Sequence, residues 1–378
     1  MLPSLPRTFG RLTDVFASSL GAINGRDNRL GFAKASRVIA ILVDGLGAQN
    51  LRDASGHAPF LNHALAARKP IACGFPSTTA TSLTSFATGL AAGEHGIVGY
   101  KILDRKVQRE ANMLTGWSPE QIPLVWQPNQ TLVEKAAASG VQSMFIGPRA
   151  YAESGFTQLT MRGAKYLPAK SIDDRIDQAI QVLAETGGEA LIYLYIPELD
   201  QIAHSSGVQS GKWLEVLEVV DSGVRRLTAA LGRSDAALLT ADHGIVDVPQ
   251  HAHIYLDEVG FDWGKVALVG GDPRVNFLYL TDSADSSGLR ATLEKKLGES
   301  VVVFSREEAV QAGLYGPKVS NVALDRMPEL FVMANKKVAL YHRDYAPRKS
   351  LEMIGQHGAL SPQELSIPLL GWGTFSSI

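Results

Sequence analysis

Five short runs of consecutive apolar residues punctuate this chain: 37–45 (RVIAILVDG), 141–147 (VQSMFIG), 189–197 (EALIYLYIP), 235–244 (DAALLTADHG) and 366–373 (SIPLLGWG). A strand that is apolar on successive residues, without alternation, has to be covered on both faces. Between the runs lie stretches with helical spacing at 131–140, 171–188 and 211–232. In the last of these, Leu214, Leu217, Val220, Val224, Leu227 and Leu231 fall on one stripe. Strands alternating with amphipathic helices predict an α/β fold, with a largely parallel central sheet and helices on both faces.

Residues 254–340 read differently, with an apolar 265–282 (KVALVGGDPRVNFLYLTD), a helix-like 284–298 and a second apolar stretch at 300–313. They are expected to form a smaller cap subdomain. The main unit then runs over 30–253, the insert over 254–340, and the chain returns to the main unit over 341–378. The stretch 101–130, with Pro119, Pro123 and Pro128, is expected to be an irregular surface excursion.

The chain has 378 residues, 45% of them hydrophobic and 20% charged, enough for a sizeable core and too apolar for wholesale disorder. Lys+Arg number 36 against 38 Asp+Glu, a net charge of -2, which argues against coating nucleic acid or an anionic membrane as the main role. A small anionic substrate stays open. Cys73 is the one cysteine, so an intrachain disulfide and a cysteine-based zinc site are excluded. The first residues carry Arg7, Arg11 and Asp14 without an apolar block, and do not read as a secretory signal. No stretch approaches the roughly 18–20 apolar residues that span a bilayer. The expectation is a soluble cytoplasmic protein with no membrane span. Oligomeric state is not written in the pattern.

The acidic residues and histidines fall where such a sheet binds ligands, beyond the carboxyl ends of its strands. Asp44 ends the first run. Asp200 follows the third, with His204 four residues on. Asp242 and His243 end the fourth. One carboxylate at a strand end is an ordinary helix cap. Three such ends, two carrying histidine, predict a metal site, and this mixture of oxygen and imidazole donors suits Zn²⁺, with Mn²⁺ as a substitute. The spacing of Asp200 and His204 puts both on one helical face. Asp242 and His243 are neighbours, which would diverge on a regular strand, but the turn at Gly244 relaxes that restriction. His357, between Gly355 and Gly358, has little packing reason to be where it is and completes the set.

Residues 75–90 place Ser77, Thr78 and Thr79 at the start of a helical pattern through Ala80, Leu83, Phe86, Ala87 and Leu90. Two readings are open. The hydroxyls cap the helix, or one of them, next to a divalent metal at a helix N-terminus that suits phosphate, is a nucleophile.

Taken in order, VDGLG (43–47), FPSTTATS (75–82), TGL (88–90) with GEHGIVG (93–99), the Pro-Glu-Leu-Asp-x-x-x-His segment (197–204), TADHG (240–244) and GQHG (355–358) resemble the nucleotide pyrophosphatase/phosphodiesterase branch of the alkaline phosphatase superfamily. The resemblance implies an alkaline-phosphatase-like fold and two zinc ions. Asp44, Thr79, Asp242 and His243 would surround one, and Asp200, His204 and His357 the other. It further implies Thr79 as nucleophile, with Thr78 the adjacent alternative, and hydrolysis of phosphodiester or pyrophosphate bonds through a phosphothreonine intermediate. The substrate would be a small phosphorylated molecule, nucleotides among them. A threonine nucleophile favours diesters over monoesters. The runner-up is a phosphonate or phosphomonoester hydrolase on the same metals. A non-catalytic metal-binding protein is a further alternative, against which the presence of Thr79 beside all the ligands speaks.

The sequence departs from the family pattern at Thr78, where many members have Lys, and at Ala80, Thr81 and Ser82, where Phe-Pro-Asn is common. Tyr100 stands where many nucleotide-cleaving members have an Asn against the phosphate. These changes leave nucleotide specificity open, and the Tyr100 hydroxyl is expected to donate to the phosphate. Arg274 offers a guanidinium fork for a substrate phosphate or carboxylate, or else a surface ion pair. His95 is read as shaping its turn, and His251 as part of a polar loop. His253 stays open. His57, His63 and His342 are expected to be solvated, and Cys73 to be a small core residue.

Overall fold

A computed structural model describes residues 5–6, 8–115, 126–281 and 285–377. Strands β1 (Arg37–Val43), β2 (Gln142–Gly147), β3 (Lys165–Pro168), β4 (Ala190–Ile196) and β5 (Asp235–Thr240) pair in parallel. After β5 the chain builds a separate antiparallel sheet from β6 (Val266–Asp272), β7 (Val275–Leu280), β8 (Val301–Ser305) and β9 (Leu330–Ala334). It then returns as β10 (Leu370–Gly373), antiparallel to β5. The central order is β10-β5-β1-β4-β2-β3. Every residue of β4 and β5 is buried, as is all of β1 except Arg37. This is what unbroken apolar runs require. Arg37 fixes the register at the start of β1: its guanidinium meets Asp235 at 2.7 and 3.0 Å.

The covering helices include α1 (Leu12–Ile23), α2 (Thr79–Thr88), α3 (Ile172–Glu185), α4 (Glu198–Ser206) and α5 (Gly211–Ala229). Helix α1 buries Val15, Phe16, Leu20 and Ile23 and contacts β1 and β4. Helix α3 contacts β2, β4 and α5. The start of α5 is set by Ser210, whose side chain accepts from the Trp213 N–H. Its inner face is Trp213, Leu217, Val220, Val224 and Leu227, with Leu214 half-buried at the edge. Each fully buried aliphatic side chain there stabilises by roughly 1.5–3 kcal/mol.

Two expectations are corrected. The run 366–373 is not one strand: Ser366–Ile367 pairs with Ile71–Ala72, and only Leu370–Gly373 joins the central sheet. Pro368 has no N–H for a ladder and separates the two. Within 101–130, Lys101–Asp104 and Arg109–Asn112 form a hairpin and not an irregular excursion. Residues 116–125, with Pro119 and Pro123, lie outside the described residues.

The antiparallel sheet buries both faces. Phe277, Phe304 and Phe331 join the main core, where Phe331 lies 6.2 Å from Phe75 between ring centres. Val269, Leu278 and Val303 face a second cluster with Leu289 and Leu293. Phe75 directly precedes Pro76 and Ser77, so this sheet backs the segment that leads into α2. Among the described residues no helix is long and apolar enough to cross a membrane.

Candidate metal centre

Strand β1 lies between β4 and β5, so the carboxyl ends of three parallel strands sit side by side. Asp44 follows β1, Asp242 follows β5, and Asp200 is in the first turn of α4, just after β4. The turns interlock closely. Gly45 has a φ of 72°, in the left-handed region that favours glycine, and its N–H donates to Asp242 Oδ1 at 3.1 Å. A Cβ on Gly244 would come within 2.1 Å of the Gln363 carbonyl oxygen and 2.9 Å of the Gly47 Cα. Only glycine lets these loops approach so far.

The structure brings all seven expected positions together. His243 Nε2 is 3.1 Å from Thr79 Oγ1, 3.5 Å from Asp44 Oδ1 and 3.3 Å from Asp242 Oδ2. His204 Nε2 is 3.2 Å from Asp200 Oδ2, one helical turn away, and His357 Nε2 is 3.9 Å from Asp200 Oδ1. Ligand atoms of Asp200, His204 and His357 lie within 4.8 Å of one another, as do those of Asp44, Asp200 and His243.

The donor set fits resident cations. Each carboxylate has one oxygen engaged and one without a hydrogen-bond partner. Asp44 Oδ2 accepts from the Tyr195 hydroxyl, and Asp242 Oδ1 accepts from the N–H groups of Gly45 and His243. Asp44 Oδ1, Asp200 Oδ1 and Asp242 Oδ2 are buried and unpartnered. Two histidines are held in the matching way. His204 Nδ1 donates to the Gly355 carbonyl at 2.7 Å and His357 Nδ1 to the Ser77 carbonyl at 2.9 Å, which turns each Nε2 towards the centre, where that of His204 meets Asp200 Oδ2.

Electrostatics point the same way. Burial, then the charges of Asp242 and Asp200, push the Asp44 carboxyl well above its ordinary range. Burial pushes Asp242 up to about 6. Burial also presses on Asp200, but His204, His357 and His243 bring it below its ordinary value, and His204 is raised in return. Burial lowers His243 to about 4 and His357 to about 3, so both rings are neutral near pH 7. Three buried carboxylates at one point repel one another until a cation is added.

Thr79 is the first residue of α2 and Thr78 its N-cap, yet the Thr78 side chain makes no capping hydrogen bond. Ser77 is occupied elsewhere, donating to the Ala359 carbonyl at 2.8 Å and accepting from the Gly358 N–H at 3.1 Å. The capping reading therefore accounts for none of the three hydroxyls. Thr78, Thr79 and Tyr100 all line a cavity of ≈ 430 Å³ that opens onto Asp44, Asp200, His204 and His357. The Tyr100 hydroxyl is raised by burial and has Asn112 as hydrogen-bond partner.

Arg274 does not offer its fork to this cavity. Its Nε and Nη2 meet Glu364 at 3.1 and 3.0 Å, and Nη1 donates to the Lys336 and Val338 carbonyls, both at 2.6 Å. The pair is internal, 2% and 0% exposed on the two side chains, so it is not a surface ion pair either. His342, expected in solvent, is 5% exposed, lies edge-on to Trp263 and lines the cavity. His253 is buried against Tyr341, and His57 is exposed beside Glu218. His95 is buried and bonded to Ser85, and Cys73 is in the core.

Three contributors escaped the sequence reading. Tyr195 anchors Asp44, but Tyr193 in the same run keeps a buried hydroxyl without a partner, so a phenol in the run did not by itself single out Tyr195. Ser77 supports His357. Asp272, on β6, lines the cavity and is pushed up to about 7 by burial, with His204 and the Thr78 hydroxyl pulling it back. Nothing in its local sequence marked it.

Residues 38–360 match the family model described as type I phosphodiesterase / nucleotide pyrophosphatase. No curated protein matches the chain in sequence. Among solved structures, murine ectonucleotide pyrophosphatase/phosphodiesterase 5 superposes with a TM-score of 0.67 at 17% identity, over 89% of this chain and 87% of that one. An inactive threonine-to-alanine variant of the murine protein, in complex with AMP, gives 0.67 at 18% identity, covering 90% and 88%. The human counterpart gives 0.67 at 16% identity, covering 89% and 87%. At these identities the likeness is one of fold.

Proposed function

Since this chain belongs to the type I phosphodiesterase/nucleotide pyrophosphatase family, hydrolases of phosphoric ester and pyrophosphate bonds, we propose that it cleaves phosphodiesters at a two-zinc centre, with Thr79 as nucleophile. The observation that carries this reading is the set of three buried carboxylate oxygens without partners, facing two oriented imidazole nitrogens and the Thr79 hydroxyl. Asp44, Thr79, Asp242 and His243 would hold one cation, and Asp200, His204 and His357 the other. Zinc suits these donors, and manganese is the substitute. When bound, the two cations would ease deprotonation of a hydroxyl and neutralise charge on the phosphoryl oxygens.

The protein's own groups then do the following. Thr79 Oγ1 gives up its proton and bonds to phosphorus in line, the bond to the departing oxygen breaks, that oxygen takes up a proton and leaves as the alcohol, and a phosphothreonine remains. Water next breaks the Oγ–P bond, returning the hydroxyl. The N–H groups of the first turn of α2, which helix geometry leaves without intrahelical partners, would meet the incoming phosphoryl group. Tyr100, in the cavity wall, would donate to a phosphoryl oxygen. The complex of the murine neighbour with AMP supports a nucleotide among the substrates.

The experiment pairs metal content with turnover of bis-nitrophenyl phosphate and of nitrophenyl phosphate. Close to two zinc ions, diester turnover lost to chelator and restored by zinc, and weak monoester turnover are expected. Thr79→Ala should keep its zinc and lose at least ~1,000-fold in kcat. Monoester turnover exceeding diester turnover would favour the phosphomonoesterase alternative. A fully active Thr79→Ala would remove Thr79 from the chemistry.

A further inference from the structure

One wall of the cavity is the hairpin β6–β7, whose loop Pro273–Arg274 joins Asp272 to Val275 across the ladder. Asp272 and Asn276 both line the cavity, and they are 7% and 5% exposed. The Asn276 amide nitrogen donates to the Asp272 carbonyl at 2.8 Å and to the Leu340 carbonyl at 3.3 Å. That fixes the amide and leaves Oδ1 as a buried acceptor without a partner. Asp272 Oδ2 is a second one. Lys101 does not answer them, since its ammonium is directed to Glu110 at 3.2 Å and to the Tyr345 carbonyl at 3.4 Å. The hydroxyl of Thr78, next to Thr79, reaches the same Asp272 carboxyl, so this wall stands beside the proposed nucleophile.

Buried acceptors are almost always paired, and a pair left open in a cavity wall fits a ligand that brings the donors. An ionised Asp272 beside an amide oxygen disfavours an anionic group at that point, and a plain alkyl group would leave both atoms unmet. We propose that Asp272 and Asn276 form a recognition subsite for hydrogen-bond donors, hydroxyl or amino, carried close to the phosphate by the ester group that stays on phosphorus when the other departs. This rests on the phosphodiesterase reading and deepens it.

The test uses the zinc-loaded full chain and three nitrophenyl diesters, of propanol, of glycerol and of aminoethanol. The glycerol or the aminoethyl ester should exceed the propyl ester in kcat/KM by about 10- to 100-fold. The preferred one identifies the donor. Asp272→Asn should bring that ratio towards unity, and Asn276→Ala is a second variant with the same expectation. A ratio near unity in the wild type, or an undiminished one in folded variants, overturns the proposal. Calorimetric binding of glycerol phosphate and aminoethyl phosphate against propyl phosphate separates the two readings. If no diester is hydrolysed but a donor-bearing phosphate still binds more tightly, the subsite stands and the phosphodiesterase reading falls. If propyl phosphate binds as well as both, the subsite falls.

Discussion

Single residues here are defined by which of their atoms remain free. The three carboxylates and His357 of the centre each keep one atom back from the protein's own hydrogen bonds. His95 is the contrast, with both nitrogens committed. The Ile97 N–H donates to its Nδ1 at 3.1 Å, so the ring proton sits on Nε2 and is donated to Ser85 Oγ at 2.9 Å. Burial, then the charge of Arg326, lowers this ring from 6.5 to about 3. The sign follows directly. Below its ordinary value the unfolded chain takes up a proton that the folded one refuses. The neutral ring's contribution is therefore full above that value and is lost as pH falls towards the folded one. By about pH 5 the loss is ~2 kcal/mol. Denaturant titrations at neutral pH and at about pH 5 should show the advantage of wild type over His95→Gln shrinking by that amount. An advantage independent of pH would mean that the ring is protonated in the fold.

The seven positions of the centre were legible because their residue types and strand-end placement are unusual in sequence. Tyr195 and Asp272 were not, because their partners are assigned only when distant segments meet.

At the scale of elements, the apolar runs gave four of the central strands within a few residues of their observed ends. The direction of β10 was not legible, since an apolar run carries no arrow. Nor was α1, whose buried face contains Ser18 and Ser19 among its apolar residues. Arg274 shows the limit most clearly. An arginine opening a strand is read equally well as a substrate fork or a surface pair. Its actual role is to clamp the β6–β7 hairpin to the loop that carries His357. Glu364 completes the clamp: its Oε1 also accepts from the Ala359 N–H at 3.0 Å, and its carbonyl accepts from the Gly244 N–H at 2.8 Å. One buried pair therefore ties together the hairpin, the His357 loop and the turn after Asp242–His243. Arg274→Met should destabilise by ~3–5 kcal/mol, because it leaves Glu364 as an uncompensated buried charge. The double variant Arg274→Met with Glu364→Gln should recover part of that loss in denaturant titration. Strict additivity of the two single losses would mean that they do not act as a pair.

Across the whole molecule, two sheets that share one core, the second with a further cluster on its other face, converge on one acidic centre. The parallel sheet delivers Asp44, Asp200 and Asp242, and the antiparallel sheet backs the segment before Thr79 and supplies a cavity wall. Such a convergence of buried like charge opposes folding unless cations are present. Ligands that bind only the folded state stabilise it by about 4 kcal/mol at a thousandfold excess over Kd. Chelation should therefore lower the melting temperature by several degrees, and zinc should restore it. A sharper consequence lies in Asp242→Asn. Without metal it relieves the repulsion between Asp242 and Asp44, and the amide oxygen can still accept from Gly45 and His243. With metal it removes a ligand charge. The substitution should thus raise the melting temperature of the chelated protein and lower that of the zinc-loaded protein. Melting curves of both forms, with and without chelator, decide the matter. If the shift has the same sign in both states, the buried carboxylates are not arranged around a resident cation.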